Sequence, residues 1–555
     1  MKGSVFLKKR VWIVMVISIL CLAMLLSACG GSGGTDTPST ATPDDVKMVR
    51  YTMTLTPTLD PAVGSDYSSC VALVNLYDTL VYPTKDGSVK PWVATEWSVS
   101  DDGLTWEFKL RDDVTFHSGN KLTAHDVKYS MDRAIAIGEG FGFLFYGTVK
   151  ETIAVDDHTV QFVCNEPYGP FLSIMTLLYI VDSQLLEANL ADGTYGDKGD
   201  YGRTYLLDKD AGSGAYKVKE YQQNIHLWAE RYPDYWGGFH ENNPDEFMCI
   251  GNNEPVTVKT MMSRQELEIA DHYLAYETIA SMGEIPGVEI GMVPMLGNGM
   301  SLTLNNQLPP TDCVHFRRAI GYLIDYANLI SSVYPGATQA RSIIHPNLEG
   351  YVEMFDFEFN LDKAREELAL SKYADNLEAY PMELAWTAEV PSNEKLALMI
   401  QSAAQQIGLP IDVQKVQWAA LIERSATIES TPNAETLMLS PSTLDAGTTF
   451  MSFIRSKDYG TWEGVSWVNN PEIDTMIDDA IATIDETERI KKYEEIQYKL
   501  AEIVPYIPIT EYDGLHAYQA SYMEWDGTDP KLAVPLMGYG YDMRGIRVYP
   551  ERRAQ

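Results

Sequence analysis

The chain has 555 residues, of which 45% are hydrophobic and 11% aromatic, and its formal net charge is −36 at pH 7. A single hydrophobic core stops growing well below this length, so two or three domains are expected. An acidic surface repels phosphate backbones and anionic lipid, which argues against a nucleic-acid partner. The charge favours high solubility, and it is also compatible with a ligand cleft that prefers cations.

The N-terminal segment has the pattern of a lipoprotein export signal. A basic stretch ending at Arg10 precedes an apolar stretch (residues 11–25), and the sequence LSAC ends at Cys29. Residues 1–28 are therefore predicted to be removed, and Cys29 is predicted to carry a diacylglycerol. This lipid would anchor the protein on the outer face of the cytoplasmic membrane, the periplasmic side in a diderm cell. A plain signal peptide and a transmembrane anchor are the alternatives. Residues 29–45, rich in Gly, Ser, Thr and Pro, are expected to form a flexible linker.

Four further cysteines lie in the body of the chain, at Cys70, Cys164, Cys249 and Cys313. They show no CxxC spacing, so neither a zinc site nor a thioredoxin-type site is supported, and no metal or cofactor is expected. Export permits disulfides, and four cysteines allow three pairings. Buried free thiols are the alternative.

Residues 101–133 carry consistent local signals. Trp106, Phe108 and Leu110 alternate with polar residues, which is typical of a half-buried strand. After a turn, Thr123 lies three residues before Asp126, the spacing of a capping box that opens a helix. The segment is therefore predicted to be a strand, a turn and a helix.

The residues of this segment also resemble a known family. DGLTWEFKLRDDVTFHSGNKLTAHDVKYSMDRA (residues 102–134) is similar to the signature of the family 5 extracellular solute-binding proteins, the peptide- and nickel-type receptors of bacterial ABC importers. The segments 59–80, 212–238 and 301–346 resemble other parts of the same family. The resemblance covers nearly all of residues 46–520.

The resemblance implies an α/β fold with two lobes, like the type II (cluster C) periplasmic binding proteins, and with an extra inserted domain. The expected limits are residues 46–80, 201–300 and 512–555 for lobe I, 81–200 for the inserted domain and 301–511 for lobe II.

The function implied by the resemblance is binding, not catalysis. A lipid-anchored, monomeric substrate-binding protein of an ABC importer would capture a small solute, in the first place peptides, by hinge closure and deliver it to the permease subunits with their ATPases. A metal chelate, an oligosaccharide or a signalling peptide are alternative ligands. A secreted hydrolase is the remote alternative, and the chain contains neither HExxH nor a GxSxG between a strand and a helix.

Three regions provide candidate ligand contacts, and the first two are the loop before the first helix and the segment 382–418. By the resemblance, Ser65, Asp66 and Tyr67 occupy cleft-lining positions. The pattern over residues 382–416 is strand, helix, strand, which predicts a βαβ unit and a parallel sheet. Ligands bind outside the carboxyl ends of such strands, where Trp386 and Trp418 fall, and the family often has a cleft tryptophan at the position of Trp418. Both tryptophans could instead belong to the core.

The segment 437–453 departs from the family. Peptide-binding members usually have an aromatic and then an acidic residue here, and the carboxylate pairs with the α-amino group of the peptide. The matching positions are Leu439 and Ser442, and Asp445 is the only acid nearby. Ser442 and Asp445 are therefore candidate contacts.

One ion pair is expected on a predicted helix of lobe II. Arg317 and Arg318 follow Asp312 closely in the chain. We expect one of these arginines to pair with Asp312 and to stabilise the fold, rather than to bind a ligand.

Overall fold

The first lobe begins with one strand and one buried helix. The computed structural model describes residues 46–294, 299–346, 348–439 and 443–553. It starts with β1 (Met48–Met53) and α1 (Tyr67–Leu76), whose residues are all buried. Asp66 caps α1, because its carboxylate accepts hydrogen bonds from the backbone N–H (3.2 Å) and the hydroxyl (2.7 Å) of Ser69.

An inserted antiparallel sheet follows, with strand order β4-β5-β7-β6 beside the hairpin β2–β3. β5 confirms the predicted strand, with Trp106, Phe108 and Leu110 buried. α2 starts as predicted, because the Asp126 carboxylate accepts hydrogen bonds from the N–H (2.8 Å) and the hydroxyl (2.9 Å) of Thr123. The elements are β2 (Val81–Pro83), β3 (Val89–Pro91), β4 (Ala94–Val99), β5 (Thr105–Leu110), α2 (Ala124–Ile137), α3 (Gly142–Phe145), β6 (Val149–Asp156), β7 (Thr159–Cys164), α4 (Phe171–Ile174) and α5 (Ser183–Glu187).

The chain then returns to the sheet that contains β1. The order of this sheet is β1-β10-β9-β8, with β1 parallel to β10 and the other pairs antiparallel. The elements of this part are β8 (Tyr216–Gln222), β9 (His226–Arg231), β10 (Glu246–Gly251), α6 (Pro255–Ser263), α7 (Tyr276–Met282) and β11 (Glu289–Val293).

The second lobe is built on a sheet with the order β13-β17-β12-β16-β14-β15. β14 pairs in parallel with β15, which confirms the predicted βαβ unit. The elements are β12 (Gly299–Leu304), α8 (Val314–Gly321), α9 (Tyr326–Ser332), β13 (Thr338–Gln339), α10 (Leu361–Leu370), β14 (Met382–Thr387), α11 (Pro391–Gln405), β15 (Ile411–Val416), α12 (Trp418–Arg424), β16 (Ala434–Leu439), α13 (Ala446–Phe453), α14 (Pro471–Ala482), α15 (Glu486–Ile503) and β17 (Tyr506–Glu511).

The chain crosses between the lobes twice. It leaves the first lobe after β11 and enters the second at β12, and it returns from β17 to β18 (Gly514–Tyr518). β11 pairs with β18, and β12 pairs with β17, both antiparallel. β19 (Met523–Trp525) and β20 (Ile546–Val548) complete the first lobe. In the four described ranges, no helix combines the length and the apolar character needed to cross a membrane.

The inserted sheet shares a hydrophobic core with helices of the second lobe. Phe108 and Phe162 belong to the same buried cluster as Phe450 of α13 and Ile477 of α14. A backbone hydrogen bond from the Gly169 N–H to the carbonyl of Ile481 (2.9 Å) adds to this contact. The inserted part therefore packs against both lobes.

The expected pairing of Asp312 with an arginine is wrong. The Asp312 carboxylate accepts hydrogen bonds from the Lys372 ammonium (2.7 Å) and the Tyr373 hydroxyl (2.6 Å). Arg317 instead donates to the carbonyl oxygens of Thr311 (2.6 Å) and Val504 (3.0 Å). Val504 follows the last turn of α15, where backbone carbonyls lack helical partners, so the guanidinium caps that helix end.

Cys70, Cys164, Cys249 and Cys313 are free and buried. The structure thus has thiols at the four positions where disulfides had been an alternative. Burial raises the pKa of the Cys164 thiol to about 12, so it is not a reactive thiolate at neutral pH.

Glu435, in β16, provides a test of how the second lobe is stabilised. Its side chain is buried, and among the described residues neither carboxylate oxygen has a hydrogen-bond partner. Burial raises its pKa to about 8; nearby Glu383 adds to the rise, and Arg424 opposes it. The folded state therefore keeps this proton to a higher pH than the unfolded state, and stability falls as the pH rises towards 8.

We expect Glu435→Gln to remove this loss of stability at high pH, because the amide stays neutral. Its free energy of unfolding relative to the wild type should grow by about 2–3 kcal/mol between pH 6 and pH 9, measured by urea denaturation. The exposed variant Glu429→Gln serves as the control and should show no such growth. A pH-independent difference for Glu435→Gln would contradict the assigned protonation.

Candidate ligand-binding site

A large cavity lies between the two lobes. Its volume is about 960 Å³, and its walls include His272 and Tyr273 of the first lobe together with Tyr334, Asp445 and Glu511 of the second. We call it the main cavity. Its size is in the range of pockets that enclose small organic molecules.

A smaller cavity of about 110 Å³, the side cavity, also has walls from both lobes. Tyr67 of α1 and Trp418 of α12 are among its lining residues. Tyr273 and Val390 line both cavities, so the two spaces adjoin at these side chains. Together they form one candidate site at the interface of the lobes.

The structure brings two of the three candidates in the first loop to the side cavity. Asp66 and Tyr67 line it, whereas Ser65 lies outside both cavity linings. The Asp66 carboxylate is already engaged as the cap of α1. Tyr67 is buried, with its ring edge towards His272 at a centroid distance of 4.8 Å. Tyr67 is thus placed to contact a ligand, and Asp66 primarily positions the helix that carries it.

The two candidate tryptophans occupy different environments. Trp418 lines the side cavity and packs against Trp462, with ring centroids 5.4 Å apart. Trp386 is 3% exposed and lines neither cavity. Met382, Leu384 and Trp386 alternate along β14 and belong to the same core of the second lobe. Side-chain alternation therefore directs Trp386 into the core although it lies at the carboxyl end of the strand.

Asp445 lines the main cavity, but its carboxylate is held by its own lobe. It accepts hydrogen bonds from the Gly447 N–H (2.8 Å), as the cap of α13, and from the Tyr493 hydroxyl (2.8 Å). The Arg489 guanidinium lies 3.6 Å away. Burial raises the pKa of Asp445, and Arg489 opposes the rise. Ser442, the other candidate in this segment, lies outside the described residues.

Sequence reasoning missed most of the titratable side chains that line the main cavity, among them His272 and Glu511. Glu511 is the last residue of β17, directly before the chain crosses back to the first lobe. Glu511 lies within residues 46–520, which resemble the family, but this resemblance did not reveal a cavity. Within the described ranges, no three His, Cys, Asp or Glu side chains converge as ligands for a metal ion.

Two lobes that enclose a cavity and are joined by two crossing segments define the class of solute-binding proteins. The model of the "Bacterial extracellular solute-binding proteins, family 5 Middle" matches residues 88–461 of this chain. The protein therefore belongs to the family 5 solute-binding proteins, which confirms the resemblance seen in the sequence.

Relatives and solved structures agree with this assignment. The probable D,D-dipeptide-binding periplasmic protein DdpA of Escherichia coli (strain K12) is 27% identical over 460 residues, which is 81% of this chain and 85% of that protein. The dipeptide-binding protein of Pseudoalteromonas sp. SM9913 in complex with Met-Leu has a TM-score of 0.79 at 20% identity, covering 90% of this chain and all of that chain (100%). DppA of Helicobacter pylori in complex with the peptide STSA has a TM-score of 0.77 at 21% identity, covering 90% of this chain and 98% of that one. The structural matches confirm the two-lobed α/β fold.

The role of Asp445 can be tested by stability. Asp445→Ala removes the cap of α13 and leaves buried Arg489 without this carboxylate, so we expect a loss of about 2–4 kcal/mol in the free energy of unfolding. Asp445→Asn keeps a capping side chain and should lose less. Urea denaturation of both ligand-free variants measures the difference. An alanine variant as stable as the wild type would show that the carboxylate is free to serve a ligand.

Proposed function

We propose that this protein is the lipid-anchored substrate-binding protein of an ABC importer, and that it captures short peptides or related small solutes in the main and side cavities. The observation that carries the proposal is the cavity of about 960 Å³ with walls from both lobes. Membership of the solute-binding family supports it, as do relatives whose names describe dipeptide binding.

Hinge closure is the proposed mechanism. A ligand that touches both lobes binds the closed state more tightly than the open state, so it shifts the population towards closure. Tyr67 and Tyr273 would contact the ligand from the first lobe, and Asn393 and Trp418 from the second. The two crossing segments are where the lobes would rotate. No chemical step is part of this function.

The lining suits a ligand with an amide backbone and varied side chains. Aromatic faces such as those of Trp418 and Trp462 offer apolar contact, while Asn393 and Thr387 offer hydrogen bonds. Water that fills unused space would give breadth of specificity. Of the candidates from the sequence, Tyr67 and Trp418 are the proposed ligand contacts, and their position in the lining of the side cavity supports this.

The proposed cellular arrangement follows from the N-terminal segment. Cys29 would carry the lipid, and residues 29–45 would link it to the lobes. The partners would be the permease subunits with their ATPases, and the protein would act as a monomer at the outer face of the cytoplasmic membrane.

Native mass spectrometry of residues 30–555, purified gently and compared with the denatured sample, tests the ligand class. We expect a mass excess that resolves into short peptides, because in the proposed closed state the two lobes would bury the ligand and slow its release. A metal chelate or an oligosaccharide would keep the binding function and remove the peptide assignment. Turnover of a chromogenic peptide, ester or glycoside would favour a hydrolase instead.

Trp418→Ala tests the side cavity. We expect it to weaken binding of the ligand recovered from the purified protein by at least tenfold, measured by isothermal titration calorimetry, because the indole contributes apolar and stacking contact. Tyr498→Ala removes an aromatic ring exposed on α15, away from both cavities, and should leave affinity unchanged. Unchanged affinity in a folded Trp418→Ala variant would exclude the indole from the site.

A further inference from the structure

The main cavity is lined by a mostly buried carboxylate, Glu511, which forms no ion pair with a lysine or arginine among the described residues. The Glu511 side chain is 11% exposed. Among the described residues, its only ion-pair contact within 4.0 Å is the Nε2 atom of His345, at 3.9 Å. Burial raises the pKa of Glu511 to about 7 and lowers that of His345 to about 4. His345 is therefore neutral near pH 7, and this contact is not a salt bridge.

The other buried carboxylate of the same cavity shows the contrast. Asp445 has Arg489 at 3.6 Å and the Tyr493 hydroxyl at 2.8 Å, so the fold itself provides its partners. Glu511 has no comparable cation or donor within the described ranges. A buried charge without a partner is costly, so the position of Glu511 leaves room for a partner that comes with the ligand.

A second, independent feature belongs to the part of the wall that the first lobe provides. The His272 side chain is fully buried (0% exposed) and lines the main cavity from the first lobe. Its Nδ1 lies 3.4 Å from the Asp271 carboxylate, yet neither ring nitrogen has a hydrogen-bond partner among the described residues. Burial and nearby His516 lower the pKa of His272 well below its usual value. This neutral imidazole therefore does not repel a cation in the cavity.

Aromatic rings also line the main cavity. Tyr334 and Tyr512 stack with ring centroids 5.3 Å apart, and both line the main cavity, as does Tyr273. Aromatic faces attract ammonium and guanidinium groups through their quadrupoles, most strongly where water is excluded. Aromatic rings, a neutral imidazole and the Glu511 carboxylate therefore all line the main cavity.

We propose that the part of the main cavity lined by Glu511 is a subsite for a positively charged group of the ligand, an ammonium or a guanidinium. Glu511 is the residue that selects this group. The proposal rests on the proposed function, because it assigns a chemical preference to the same cavity. The cation can belong to a basic side chain or to the N-terminus of a peptide. Both present the same chemistry to Glu511.

The probes are tripeptides Ala-X-Ala, where X is Lys, Arg, norleucine, Gln or Glu, each with a free and an acetylated N-terminus. Ligand-free protein, prepared by unfolding in guanidinium chloride and refolding, is titrated with each peptide by calorimetry. Glu511→Gln should weaken binding of the Lys and Arg peptides at least 30-fold and change binding of the acetylated norleucine peptide less than threefold. If acetylation alone abolishes the effect of Glu511→Gln, the subsite holds the N-terminal ammonium. If the effect of Glu511→Gln depends on the residue at X and not on acetylation, the subsite holds a side chain.

Glu353→Gln is the matched control, because it removes the same charge from an exposed position outside the cavity lining. It should leave every affinity unchanged. Peptides that bind with no preference for a cation, or with a preference that survives Glu511→Gln, would overturn the subsite and leave the peptide function standing. If no peptide binds, L-arginine, putrescine and choline serve as probes. Binding of one of them that depends on Glu511 would support the subsite without the peptide function, and no binding of any would overturn both.

Discussion

The pairing of the two crossing segments is the constraint on which this structure depends. β11 and β18 are hydrogen-bonded in the first lobe, and β12 and β17 are hydrogen-bonded in the second, so the strands that flank the two crossings are paired in each lobe. β12 and β17 also lie inside the six-stranded sheet and not at its edge. The lobes are therefore joined through their cores. In the proposed mechanism, rotation is limited to the short segments between paired strands, such as Tyr512 and Asp513.

The paired strands that join the lobes determine where the lobes face each other, and therefore which side chains line the cavities. Two carboxylates that line the cavities already have structural partners: Asp66 caps α1, and Asp445 caps α13 and lies near Arg489. Such groups shape the walls, but they have little hydrogen-bonding capacity left for a ligand. Glu511 and His272 differ, because burial removes their hydration and the described residues offer them few hydrogen-bond or ion-pair partners. Such unfavourable burial of a polar group is typical of a functional site, where a ligand supplies the missing partner.

Local patterns predicted much of the fold. Alternation identified β5, the spacing of Thr123 and Asp126 identified the start of α2, and the βαβ pattern identified the parallel pair β14 and β15. The site was harder to predict, because its walls come from segments far apart in the chain. Position at a strand end suggested Trp386, but that position does not specify which face of the sheet the ring occupies. The partner of Asp312 was predicted wrongly because its actual partner, Lys372, lies 60 residues away in the chain.

The net charge of −36 suggested a preference for cations, yet it is a poor physical cause of one. Exposed charges are screened within about 8–10 Å at physiological ionic strength, so the surface gives only a weak and salt-dependent attraction. A carboxylate in a partly desolvated wall is screened far less, and its direct contact with a cation is correspondingly stronger. A single residue, Glu511, can therefore determine selectivity that the many surface carboxylates cannot. A preference that arises from surface charge fades as salt is added, whereas one that arises from the cavity wall persists.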